Sequence, residues 1–379
     1  MPEHHIVIVG GGAAGLTTAG ALKYLGLDSV ILDKDTEVGG TWARRYARLH
    51  LHSVRAYSGL AHFPLPRTWP KWVPKDRFAQ YLKAYAAHFH LNWIGNTMVR
   101  RVHQSDDGGW LIETNQGVWR SKVIVIAAGH YGLPVIPDWP GRGDYVGQLL
   151  HSADYRTGRA FVGKHVLVVG SGNSGTEIAC DLAEHGAAFV ANSIRTPPPV
   201  APREFLGTPV QVFGIVMSAL PASIADVIGA AISRLAMGDL SPYGVRPATW
   251  QPFSASKVPI IDVGWVEELK KGNVQLRPGV DRLTSTGVIY DDGQAEDFDV
   301  IVAATGFRTG LPDLIDVSSL LDERGYPRYP SGQPTSAHGF YFMGYTESVR
   351  GHLFEANRDS RRLAKIIQRQ LQSHPRITS

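Results

Sequence analysis

The stretch IVIVGGGAAG, residues 6–15, decides the fold. Four β-branched apolar residues in succession describe a strand buried on both faces. Gly10, Gly12 and Gly15 follow at GxGxxG spacing, and a helical pattern continues through residues 13–25. A chain that turns so sharply from strand to helix presents bare backbone amides and the positive helix end at one point, where a pyrophosphate fits. A second strand, residues 29–32, ends in Asp33, about 20 residues on, where a carboxylate accepts a hydrogen bond from a ribose hydroxyl. An unphosphorylated adenosine ribose, as in FAD, suits this first site.

The unit then recurs. KHVLVVGSGNSG, residues 164–175, repeats strand and glycines, with Gly170, Gly172 and Gly175 in the roles of the earlier three and Asn173 and Ser174 completing the loop. Its second strand, residues 188–194, ends in Arg195 and Thr196 instead of an acid. An arginine there favours a 2′-phosphate and hence NADPH, with Ser193 as a weaker aid. The other reading of Arg195 is a solvated surface charge.

A chain of 379 residues exceeds one ordinary core. The expected fold is α/β, with two Rossmann-like dinucleotide-binding domains, the second inserted into the first. The boundaries fall at 1–145 for the first part of the FAD domain, 146–300 for the NADPH domain with a helical insertion near 205–260, and 301–379 for the return to the FAD domain. Residues 76–89 carry apolar side chains at helical spacing, residues 110–113, 122–127 and 300–303 read as strands, and residues 353–371 as a helix that packs back on the first domain. Residues 42–72, mixing prolines, aromatics and histidines, read as an elaborated loop over a site; Tyr57, Phe63, Trp69 and Trp72 are candidates to line it or to pack beneath it.

A net charge of +4 without a long cationic run excludes a nucleic-acid stripe and leaves anionic small ligands as the simpler partners. The single cysteine, Cys180, excludes a disulfide framework, a four-cysteine zinc site and a CxxC pair, so no metal is expected and the compartment is a reducing one, the cytoplasm. The N-terminus enters a strand too soon for a signal peptide. Residues 210–237 are the most apolar later stretch, but Pro221, Asp226 and Arg234 interrupt it; it reads as a buried helix before a partner-facing one, with a homodimer left open and no transmembrane span. Two dinucleotide sites in one chain suggest a hydride relay from nicotinamide to flavin and on to a third party. Without a cysteine pair, that party is oxygen, a small acceptor or a protein carrier.

YVGQLLHSADYRTG, residues 145–158, lies between the glycine loops and resembles the identifying motif FxGxxxHxxx(F/Y) of the class B flavin-containing monooxygenases, through Gly147, His151 and Tyr155. GGTW (Gly39 to Trp42, including Thr41), RYARLHLHS, the following FPLPRTWPKWVPKDRFAQYLKAYAAHF, and ATGF with Thr305 and Gly306 are similar to further family segments, most closely the YUCCA-like group, over nearly the whole chain. The resemblance implies FAD reduced by NADPH, oxygen adding at flavin C4a to form a (hydro)peroxyflavin, and NADP+ held in place while a small organic substrate is oxygenated. It implies that Gly39, Thr41 and Trp42 lie on the flavin side, that His151 and Tyr155 close the cleft and place NADP+, and that the loop at residues 344–354 meets the flavin pyrimidine. His52 stands where other members carry asparagine and becomes the candidate hydrogen-bond donor to the peroxyflavin. Arg203 matches the YUCCA-like pattern as a contact for NADP+ or an anionic substrate, or as a solvated loop arginine. Molecular oxygen and a small molecule with an N or S heteroatom or a 2-oxo acid such as indole-3-pyruvate are the expected partners; an NADPH oxidase, a flavin reductase and Baeyer-Villiger oxygenation are the alternatives.

Overall fold

In the computed structural model, which describes residues 3–373, the strand Glu3–Val9 forms the centre of a parallel sheet because its second half needs no water: Ile6 to Val9 are at most 5% exposed. Val30–Leu32 pairs on one side of it and Gly117–Ile126 on the other, with Asn92–Ile94 beyond the first and Phe340–Phe342 beside the second. Trp110–Thr114 and Val99–Gln104 extend the sheet antiparallel. Helix Ala13–Tyr24 covers one face together with the C-terminal helix His352–Ser373, and Thr17 and Ser360 share a buried hydrogen bond of 3.2 Å between them. The chain's end thus returns to the unit in which it began.

The second sheet is wholly parallel, in the order Gln275–Arg277, Phe189–Ser193, His165–Val169, Val300–Ala303, Gln148–His151. Val300–Ala303 lies between two strands of this sheet, so the hydrogen bonding carries the inserted unit past a boundary drawn at residue 300. Helix Asn173–Glu184 packs on it, with Ile178, Cys180 and Leu182 in the core. Burial pushes the Cys180 thiol up, away from thiolate chemistry.

Two connections join the units and run side by side. Leu133–Pro134 pairs antiparallel with Phe307–Arg308, Val135 donates its amide to Gly306 O at 3.1 Å, and the Thr305 hydroxyl donates to Val135 O.

Residues 210–237 form two helices, Val210–Met217 and Ala222–Met237, broken before Pro221 because proline cannot continue the first. The expectation of a buried helix fails in the second of them. Ile224, Val227 and Leu235 are 50, 71 and 76% exposed, and burial in that helix is confined to Ala225, Asp226, Ile232 and Met237. Asp226 is anchored by the Phe253 and Ser254 amides at 2.8 and 3.0 Å. Among the described residues no helix is long and apolar enough to cross a membrane.

Leu363, fully buried on the C-terminal helix, packs in the first unit's core. Leu363→Ala is expected to cost about 2–4 kcal/mol of unfolding free energy, measured by denaturant titration.

Candidate active site

Both glycine loops lie at the carboxyl ends of their parallel strands, where open α/β sheets take ligands. Gly10 has φ +102°, and a Cβ on it would lie 2.5 Å from the carbonyl oxygen of Ala127. Gly170 repeats this with φ +141° and Ala304 O at 2.2 Å. Gly15 and Gly175 face back on the first glycine of their loops, whose carbonyl oxygens would be 1.9 and 2.5 Å from an added Cβ. Gly12 and Gly172 differ: each caps its helix, and a Cβ there meets nothing within 4 Å. The same holds for Gly129 and Gly306. In both units, then, the outer glycines are reserved by sterics for the turn, while the middle one borders open space at a helix N-terminus. That is the cradle a dinucleotide phosphate needs.

Asp33 sits at the expected strand end. Its Oδ2 accepts the Gly11 amide at 2.7 Å and its Oδ1 the Asp35 amide at 3.0 Å, so the carboxylate is fixed beside the first loop; burial raises its pKa. Gly39, with φ +79°, packs against Ala79, Trp42 meets Phe78 edge-on at 4.6 Å, and the exposed Thr41 donates to Asp35 at 2.8 Å. These three therefore brace the loop against helix Lys75–His88. Near the other carboxyl ends of the first sheet, His130 lies 5.3 Å from Tyr345 and 5.4 Å from His352, ring centre to ring centre. Burial, with His352 nearby, pushes the His130 imidazole down to about 4. Residues 128–131 carried no motif that singled this histidine out.

In the second unit Arg195 and Thr196 are exposed at the end of Phe189–Ser193, as a 2′-phosphate contact requires. Ser193 does not assist: it is buried and donates to Pro278 O at 2.5 Å. Arg246 reaches the same corner, bonding Ile194 O at 2.7 Å and Arg195 O at 3.1 Å, beside a pocket of about 220 Å³ lined by Ile194, Pro197, Val245, Arg246 and Trp265. Asn173 is spent on backbone, accepting the Ile261 amide at 2.7 Å.

His151 is a junction residue. Its Nε2 meets Gly306 O at 3.0 Å, and its Nδ1 accepts the Ala153 amide at 3.0 Å, which makes Nε2 the protonated nitrogen; burial lowers its pKa. Tyr155 lies behind helix Asn173–Glu184, 1% exposed, donating to Asp181 Oδ2 at 2.7 Å and stacking on Phe161. It acts on the second loop through the helix that carries it. Tyr145 similarly closes a strand edge, donating to Phe298 O at 2.8 Å.

Across the cleft, His52 Nε2 hydrogen-bonds Glu177 Oε1. Glu177 is 2% exposed and sits in the first turns of the helix behind the second glycine loop. Tyr46, its phenol raised well above its ordinary range by burial, lies beside Ser174 and Glu177 and packs edge-on against Tyr155. Arg48 joins Glu184 and donates to Val263 O at 2.7 Å. Arg45 has no ion pair among the described residues; its guanidinium lies over Tyr131 and Phe307 at 5.5 and 5.8 Å, beside the paired connections. Sequence reasoning missed Tyr46 and Glu177, whose partners come from the other unit, and Arg45, whose partners are Tyr131 and Phe307 beside the connections.

The family model of flavin-binding monooxygenase-like proteins matches residues 3–324. The chain is 33% identical to the indole-3-pyruvate monooxygenase YUCCA1 of Oryza sativa subsp. japonica, covering 95% of this chain and 90% of that protein. Among solved structures, a flavin-containing monooxygenase from Stenotrophomonas maltophilia superposes with a TM-score of 0.73 at 22% identity, covering 98% of this chain and 99% of that one. An oxidised steroid monooxygenase bound to NADP superposes with a TM-score of 0.75 at 21% identity, covering 98% and 86%.

Two outcomes follow. Gly12→Val and Gly172→Val put branched side chains into the open cradles without a positive φ, so both variants are expected to fold; the first should lose bound flavin, read from the flavin-to-protein absorbance ratio, and the second should keep flavin but bind NADP+ at least tenfold more weakly by fluorescence titration. His130, a base whose folded pKa lies below its ordinary 6.5, contributes stability that is whole above about pH 6.5 and lost as pH falls toward about 4. Stability should decline across that window, and His130→Gln should flatten the decline in denaturant melts at graded pH.

Proposed function

The chain belongs to the flavin-binding monooxygenase-like family, and we propose that it uses FAD, NADPH and molecular oxygen to oxygenate a small 2-oxo acid of the indole-3-pyruvate type in the cytoplasm. The observation that carries this reading is the pair of matching glycine cradles joined by two connections at one cleft. The substrate class is supported by relatives that resemble the chain over nearly its whole length and are named for indole-3-pyruvate.

Gly10, Gly12, Gly15 and Asp33 would hold FAD, and Gly170, Gly172, Gly175, Ser174, Arg195 and Thr196 would hold NADPH. FAD, when bound, would supply the hydride-accepting and oxygen-activating chemistry. The residues contribute geometry and dryness. His151 ties the second sheet to the Gly306 turn, and Tyr155 and Asp181 fix the helix behind the nucleotide loop. His52, its Nε2 donating to Glu177, makes no hydrogen bond at Nδ1 among the described residues; that nitrogen would accept in the neutral ring and donate only in the imidazolium. The net reaction with a 2-oxo acid consumes NADPH, O2 and a proton and yields the acid one carbon shorter, CO2, NADP+ and water.

The decisive experiment mixes anaerobically NADPH-reduced enzyme with oxygenated buffer in a stopped-flow instrument. A long-lived transient absorbing well to the blue of oxidised flavin, and substrate-dependent NADPH consumption without peroxide release, are expected. Direct reoxidation with stoichiometric peroxide whatever the substrate would replace this reading with that of an NADPH oxidase. His52→Ala should shorten the transient's lifetime by about tenfold while leaving the flavin content unchanged.

A further inference from the structure

Arg203 reaches between the two units and forms no ion pair among the described residues. It follows the short strand Val200–Pro202 of the second unit, and its side chain crosses to the first, where Nη2 donates to Leu51 O at 2.9 Å and the guanidinium lies 4.2 Å above the Trp72 ring. That is its one side-chain hydrogen bond among the described residues, and Nε is buried with no partner. The carboxylates around it are engaged elsewhere: Glu204 pairs with Lys71, and Glu177 with His52. Burial pushes the Arg203 pKa down to about 10, still well above neutrality, so the group stays charged. A half-buried, charged guanidinium whose neighbouring acids are all committed, and whose Nη1 makes no hydrogen bond among the described residues, keeps a donor for an external acceptor. The guanidinium is set one residue from His52, since Leu51 supplies the carbonyl that aims it.

We propose that Arg203, held flat on Trp72, is the anchor for the carboxylate of the substrate. The planar fork suits a carboxylate bidentately, and the stacked ring beneath it keeps the fork in one plane. Trp72 also offers an aromatic wall to a ligand that carries a ring beside its acid group. The anchor would set which end of an aromatic 2-oxo acid faces the His52 side. The inference rests on the reading of the chain as a monooxygenase of such acids, and it adds the residue that selects the acid.

The test compares two probes of one shape, indole-3-propionate and indole-3-propionamide, titrated calorimetrically into the oxidised holoenzyme with NADP+ present. Arg203→Met is expected to raise Kd for the carboxylate roughly tenfold to hundredfold while moving the amide by no more than about twofold. NADP+ affinity should not change, and Arg203→Lys should recover part of the loss. Equal weakening of both probes with a lowered Tm would make Arg203 a structural clasp only and overturn the proposal. A loss confined to NADP+, a carboxylate loss found in Arg45→Met instead, or no binding of the carboxylate probe by the unaltered enzyme would overturn it as well. Indole-3-pyruvate turnover is scored separately. If the enzyme does not oxygenate it but the Arg203-dependent difference between probes persists, the anchor stands and the substrate reading falls; turnover without that difference gives the reverse.

Discussion

Everything in this molecule depends on a close approach of backbone to backbone. Gly10 and Gly170 lie so near the carbonyls of Ala127 and Ala304 that a single methyl group would collide at both places. The contact lets each chain leave its sheet at an angle that puts the following helix end at the strand termini. Once that turn is made, the adjoining strand leaves the sheet at the same level, and Gly129 and Gly306, which follow those strands, likewise border open space. A cofactor site here is less a set of side chains than a shape left over when two strands end together.

Side chains then determine how the two shapes face one another. The hydrogen bond of His52 to the buried Glu177 is poor value as stability, since taking a carboxylate out of water costs several kcal/mol before any partner compensates it. Its return is register: the histidine of one unit is oriented by the helix that opens the nucleotide loop of the other. Arg48 with Glu184, Ala47 N with Arg156 O at 2.9 Å, and Val54 N with Gln211 at 2.8 Å add contacts along the same seam. These bonds span long sequence separations, so each forms only when the two units are already docked.

This explains what could be read in the sequence. The loops, Asp33 and the return of the C-terminal helix were legible because strand periodicity, glycine spacing and amphipathic repeat are local properties. Arg203 was visible as a motif residue but ambiguous, because its meaning lies with Leu51 and Trp72, far earlier in the chain. Glu177 looked like any polar residue of an amphipathic helix, and only its burial against His52 distinguishes it. Tyr155 shows the opposite case: an identifying residue that works from behind, through Asp181. The segment from Val210 to Met237 misled because apolar content was taken as burial, whereas helix Ala222–Met237 exposes much of its apolar surface.

The paired connections at Val135 and Gly306 also have a mechanical meaning. One tether would leave a swinging unit free to twist and slide, but two tethers bonded side by side behave as a strip: soft to bending about a single line, stiff to torsion. Any rocking of the inserted unit would then carry its nucleotide loop along an arc toward the first loop without rotating it out of plane. Both tethers would then restrict the directions from which the second loop can approach the first.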